Sequence, residues 1–126
     1  MKKLTAIFLC TLLLAGCGSP QSGTYQQITQ QEAAQLMASE TDYVILDVRT
    51  PEEFASGHIP GARNLPNETI GSEEIPELPR KDQLILVYCR SGNRSKQASA
   101  KLYALGYTDV REFGGVNTWP GELVAE

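Results

Sequence analysis

The chain has 126 residues, 41 % of them apolar and 21 % charged, with a formal net charge of −4. That composition suits one globular domain with an ordinary core. An acidic balance with no basic stripe argues against nucleic acid as a partner.

Lys2 and Lys3 precede an almost unbroken apolar stretch from Leu4 to Ala15, too short to span a bilayer as a stop-transfer helix. It closes on Leu14-Ala15-Gly16-Cys17, which resembles a bacterial lipobox. That resemblance implies cleavage before Cys17 and lipidation of its thiol; an ordinary secretory signal with an incidental cysteine is the alternative. Residues 1–16 then form a lipoprotein signal peptide, 17–24 the lipidated cysteine with a small, polar, flexible tether, and 25–126 the folded domain. Taking Lys2 and Lys3 from the net charge leaves −6, so the lipid and not the protein surface is expected to hold the domain to a membrane. Gly18 after Cys17 leans toward the outer membrane, facing the periplasm, if the cell is Gram-negative.

Thr29 opens a helix, because Glu32 three residues later completes a capping box and Ala33, Leu36 and Met37 share one face. Tyr43 to Val48 is a continuous apolar run ending in charge, the pattern of a buried parallel strand. Thr50-Pro51-Glu52-Glu53 starts a second helix, with Thr50 as cap, Pro51 in the first turn and Gly57 as the stop. Ala62 to Leu65 is a short strand. Pro66 to Arg80 reads as a loop with at most one helical turn.

Leu84 to Tyr88 is the strongest strand. A helix follows from about Arg94 to Leu105, with Ala98, Leu102 and Leu105 inward and Gly106 closing it. Val110 to Phe113 is a further strand, and Gly114-Gly115 turns into a short final helix around Trp119. Strands alternating with helices predict an α/β domain with a mainly parallel sheet. Ligands of such sheets bind beyond the carboxyl ends of the strands, where Cys89 stands.

Three cysteines occur, Cys10, Cys17 and Cys89. Cys10 leaves with the signal and Cys17 is acylated, so Cys89 is the one free thiol of the mature chain, in a compartment that tends to oxidise thiols. It is either an inert core residue or a nucleophile. Cys89-Arg90-Ser91-Gly92-Asn93-Arg94-Ser95 joins the strongest strand to a helix. Such a loop turns successive amides inward, and the helix amino end adds partial positive charge. Gly92 supplies unusual backbone angles, and Arg90 and Arg94 add charge. A thiol there ionises readily and needs no histidine base.

The loop from Cys89 to Ser95 is similar to the active-site loop of single-domain rhodaneses. Asp47-Val48-Arg49-Thr50-Pro51-Glu52-Glu53-Phe54 with Gly57-His58-Ile59-Pro60-Gly61-Ala62 resembles the family's first signature, and Gly114-Gly115-Val116-Asn117-Thr118-Trp119 its closing one. Thr118 stands where that motif more often has Ala. The resemblance covers roughly Tyr25 to Glu122. It implies a rhodanese-like α/β fold, a central, mainly parallel five-stranded sheet with helices on both faces.

It further implies a thiosulfate sulfurtransferase reaction without metal or organic cofactor. Cys89 would be the persulfide carrier, and Arg90, Ser91, Gly92, Asn93, Arg94 and Ser95 would hold an anionic, thiosulfate-like donor and the transferred sulfur. Cyanide or a thiol would be the acceptor. Among supporting residues, Asp47 and Arg49 read as a structural pair near the strand end, with a direct catalytic role as the alternative. His58 reads as a packed histidine fixing the turn before Ile59, with a base as the alternative. Trp119 reads as a core plug, and the capping box accounts for Glu53. The domain is expected to be monomeric.

Three rival functions share parts of this pattern. A rhodanese-fold phosphatase or arsenate reductase spaces cysteine and arginine by five residues. Here four residues separate Cys89 from Arg94, which turns a helix-borne arginine by roughly 100° and narrows the ring of amides. A non-enzymatic persulfide carrier or binding module for a dedicated partner would use the same cysteine. A peroxide sensor would lack a resolving cysteine, though sulfenate formation stays open.

Overall fold

A computed structural model describes residues 24–125. The expected signal peptide, the lipidation at Cys17 and nearly all of the tether lie outside the described residues. The order of elements is β1 (Gln26–Gln27), α1 (Gln30–Ser39), β2 (Tyr43–Asp47), α2 (Pro51–Ser56), β3 (Arg63–Asn64), a 3-10 turn (Asn67–Thr69), β4 (Leu84–Cys89), α3 (Asn93–Ala104), β5 (Asp109–Gly115) and a second 3-10 turn (Val116–Thr118). The five strands form one sheet in the order β1-β5-β4-β2-β3, and every pairing is parallel. This is the α/β architecture the sequence implies.

Local chemistry explains the element starts. Thr29 accepts the Glu32 N–H at 3.0 Å while Glu32 accepts the Thr29 N–H at 2.8 Å. Thr50 and Glu53 repeat this arrangement at α2, with Pro51 in its first turn and Gly57 at its end. Each box satisfies amides that a helix start would otherwise leave bare.

Alternation along β4 divides the core. Ile85, Val87 and Cys89 face α3 and pack with Val44, Leu46, Ala98, Leu102 and Val110. Leu86 and Tyr88 face the other way and pack with Ala33 of α1, Ile45, Ile59 and Phe113. β4 is therefore buried on both faces, and each fully buried aliphatic side chain contributes about 1.5–3 kcal/mol. The cysteine ends the sheet's central strand.

Two elements differ from the sequence reading. β1 has only two residues, both exposed, so it carries no apolar pattern; its backbone is recruited by the edge of β5. The final segment is a 3-10 turn ending before Trp119. Trp119 is partly buried and lies against Phe113, ring centroids 5.5 Å apart.

Candidate active site

The site grows from the break between β4 and α3. The chain leaves the sheet at Cys89 and enters α3 at Asn93. Gly92 occupies the cap position at φ +103°, and no side chain caps the helix. A left-handed residue is needed there to curl the loop back, and glycine adopts it without strain. The curl aims the Gly92 N–H at Cys89 Sγ, 3.0 Å away. Ser95, one turn into α3, brings its hydroxyl to 3.4 Å from the sulfur.

Cys89 is a free thiol and 1 % exposed. Burial alone pushes a thiol up, because it penalises the thiolate. Hydrogen bonds at the sulfur, among them those of the Ser95, Gly92 and Ser91 amides, oppose this, and the balance holds Cys89 below its ordinary value. The sulfur is therefore enclosed, with its charged form favoured over that of an ordinary thiol. Backbone N–H groups point at it, as an anion cradle requires.

The second glycine of Gly114-Gly115 does more than turn the chain. A Cβ on Gly115 would lie 1.9 Å from Arg90 O and 2.5 Å from Ser91 N. The Arg90–Ser91 peptide thus rests directly on Gly115, and Asn117 N–H donates to Arg90 O at 3.2 Å. The pairing of β4 with β5 slips here: Val87 faces Glu112, but Cys89 faces Gly115. This extra residue is a bulge, a device that re-aims a strand next to a site.

The two loop arginines part company. Arg90 is exposed and in no ion pair among the described residues. Arg94 forms a bidentate pair with Glu53 at 2.7 and 3.1 Å. The Arg94 guanidinium holds the Glu53 carboxyl down at about 2. Glu53 accordingly does more than close its capping box, tying α2 to α3 beside the loop. Ser91 and Asn93 are exposed on the rim, while Gly92 and Ser95 are buried.

Asp47 and Arg49 form the structural pair expected of them. Asp47 Oδ2 meets Arg49 Nη2 at 2.7 Å, with the side chains 0 % and 5 % exposed. Arg49 also donates to Gly57 O at 2.7 Å, binding the end of β2 to the end of α2. His58 stacks on Phe54 with centroids 3.7 Å apart, and its Nδ1 lies 2.8 Å from Phe54 O. Its backbone pairs with Val124. These contacts fit a packed histidine beside Ile59.

One residue escaped the sequence reading. Glu112 is 3 % exposed, on the inner side of β5, and bonded to Ser95. A signal existed: the period of two along Val110 to Phe113 puts Glu112 on the same face as buried Val110.

Comparison with known proteins agrees with this fold. Residues 29–122 match the model of the rhodanese-like domain. A protein of Allochromatium vinosum named sulfurtransferase is 40 % identical over 94 residues, covering 74 % of this chain and 86 % of its own. Thiosulfate sulfurtransferase GlpE of Pseudomonas putida is 35 % identical over 103 residues, covering 81 % and 91 %. The crystal structure of a rhodanese-related protein from Thermoplasma volcanium superposes with a TM-score of 0.68 at 30 % identity, covering 81 % of this chain and all of that one. A parallel five-stranded sheet, an uncapped helix end turned onto a cysteine and a family match across the folded region together make this chain a member of the rhodanese-like family.

Proposed function

We propose that the protein is a sulfurtransferase that carries sulfane sulfur on Cys89. The Cys89 thiolate attacks the outer sulfur of a thiosulfate-like donor. The donor's S–S bond breaks, and sulfite leaves with the bonding pair. The outer sulfur of the resulting persulfide sits among the amides from Arg90 to Ser95. Cyanide or a thiolate then attacks that sulfur, and Cys89 departs as thiolate, ready for another donor. Arg90 is the cation available to meet the donor, because Arg94 is held by Glu53.

The observation that carries this reading is the Gly92 amide pointed at a buried sulfur at 3.0 Å beside an uncapped helix end. Relatives named thiosulfate sulfurtransferase support thiosulfate as the donor class. On the same reading, Cys17 carries the lipid that tethers a monomeric domain to the cell envelope.

Purified domain should form thiocyanate from thiosulfate and cyanide, and thiosulfate alone should add the mass of one sulfur atom at Cys89. A Cys89→Ser variant with normal turnover, or sulfur mapped to another residue, refutes the mechanism. Lipid labelling that persists in Cys17→Ala refutes the anchor.

A further inference from the structure

Glu112 is a carboxylate placed where surface charges are not found. It is 3 % exposed and pairs in register with Val87, on the face of the sheet that carries Cys89. Its Oε2 accepts from the Gly114 N–H at 2.9 Å and from the Ser95 hydroxyl at 2.5 Å. Gln27 Nε2 lies 3.5 Å from its other oxygen. The same Ser95 oxygen is 3.4 Å from Cys89 Sγ.

A serine hydroxyl has one hydrogen to give. A carboxylate oxygen at 2.5 Å is a far better acceptor than sulfur at 3.4 Å. Ser95 therefore donates to Glu112 and turns a lone pair toward the sulfur, to which the thiol S–H can donate. Ionising Cys89 places two negative charges on either side of one hydroxyl, out of contact with water. Like charges in such a site disfavour each other's charged form.

We propose that Glu112 is a positioning residue for Cys89, which through Ser95 keeps the hydroxyl proton from the sulfur and opposes the thiolate that the loop amides favour. The inference rests on the reading of Cys89 as the nucleophile and deepens it. The loop and the amino end of α3 draw charge onto the sulfur from one side, and β5 resists it from the other. The sulfur stays more basic than the cradle alone would leave it. A more basic thiolate attacks a donor faster but leaves an acceptor more slowly.

The other charged groups around the network are largely matched. Arg94 on α3 pairs with Glu53 on α2, and Asp47 at the end of β2 pairs with Arg49. Arg90 is exposed beside the sulfur. Tyr25, ahead of β1, is held above its ordinary value by burial and then by Glu112. Lys96 shares with Glu112 the lining of a cleft of about 310 Å³ beside the loop.

Glu112→Gln retains an oxygen for Gly114 and Ser95 and removes only the charge. The test is the pH profile of Cys89 alkylation by iodoacetamide, read by intact mass. The midpoint of Glu112→Gln should fall by about one pH unit, giving about tenfold more thiolate at a fixed pH below it. An unchanged or raised midpoint overturns the proposal. Ser95→Ala should move the midpoint by less than about half a unit in the native protein and in Glu112→Gln alike, because the oxygen at position 112 takes the hydroxyl hydrogen in both. A rise of about a full unit in Ser95→Ala alone overturns it without recourse to the Glu112 variant. Alkylation uses no sulfur donor, so these results judge Glu112. Failure of thiosulfate to load Cys89 judges the proposed function.

Discussion

At the ends of β2 and β4 the chain builds the same unit, a parallel strand running into a helix, and finishes it in opposite ways. After β2, side chains close the unit. Thr50 and Glu53 fill the amino end of α2, and Arg49 lies across Asp47 in a buried ion pair. After β4, Gly92 takes the cap position and offers no side chain, so the amides turn to Cys89 instead. The difference teaches that a helix end keeps amides to offer when the chain withholds its own caps. The amides then remain for something else, here the Cys89 sulfur.

The sharpest way to break the β4 side is Gly115→Ala. Its Cβ would meet Arg90 O at 1.9 Å, so the loop must move and its amides lose their aim. Sulfur loading of Cys89 by thiosulfate should slow by about a hundredfold, the scale of losing one aligned amide donor. Loading at the native rate would mean that the loop does not depend on this contact.

The β2 side should fail by unfolding instead. Asp47→Asn leaves Arg49 buried without its carboxylate, a loss of about 3–5 kcal/mol in urea denaturation. Activity per folded molecule should survive, because neither residue touches the sulfur. A large fall in activity without a fall in stability would give this pair a catalytic role.

Glu53→Gln tests the tie between the two units. It should cost about 1–2 kcal/mol, more than a fully exposed pair, because the Glu53–Arg94 pair is bidentate and only partly exposed. The Glu53 carboxyl is held at about 2 instead of its ordinary 4.5. A lowered carboxylate stabilises the fold fully above its unfolded value, and that contribution fades as pH falls. The stability gap between native and Glu53→Gln proteins should therefore be full above pH 4.5 and close as pH approaches 2. A gap unchanged at low pH would contradict the ion pair.

The smallest effect expected is that of Thr50→Ala, about 1 kcal/mol from the lost cap. Thermal or urea melts would read it, with sulfur transfer unaltered.

Much of this plan was legible in the residues. Both capping boxes, Pro51 in the first turn, Gly57 at the stop and the apolar runs of β2 and β4 depend on neighbours within a few positions, where spacing and propensity decide. Cys89 at a strand's carboxyl end followed from the same local patterns. The roles of Arg94, Gly115 and Glu112 did not. Arg94 reads as a free cation until α2 is folded against α3, for its partner Glu53 is 41 residues away. Gly115 reads as a turn until the bulge in β5 slides it beneath the Arg90–Ser91 peptide.

The sequence by itself determined where most helices and strands begin and that Cys89 stands at the carboxyl end of the strongest strand, because those follow from short-range hydrogen bonds and hydrophobic period. Only the tertiary structure decided which charges neutralise each other and which amides stay pointed at the sulfur. Those depend on the register of strands and the packing of helices, which bring distant residues within hydrogen-bonding distance.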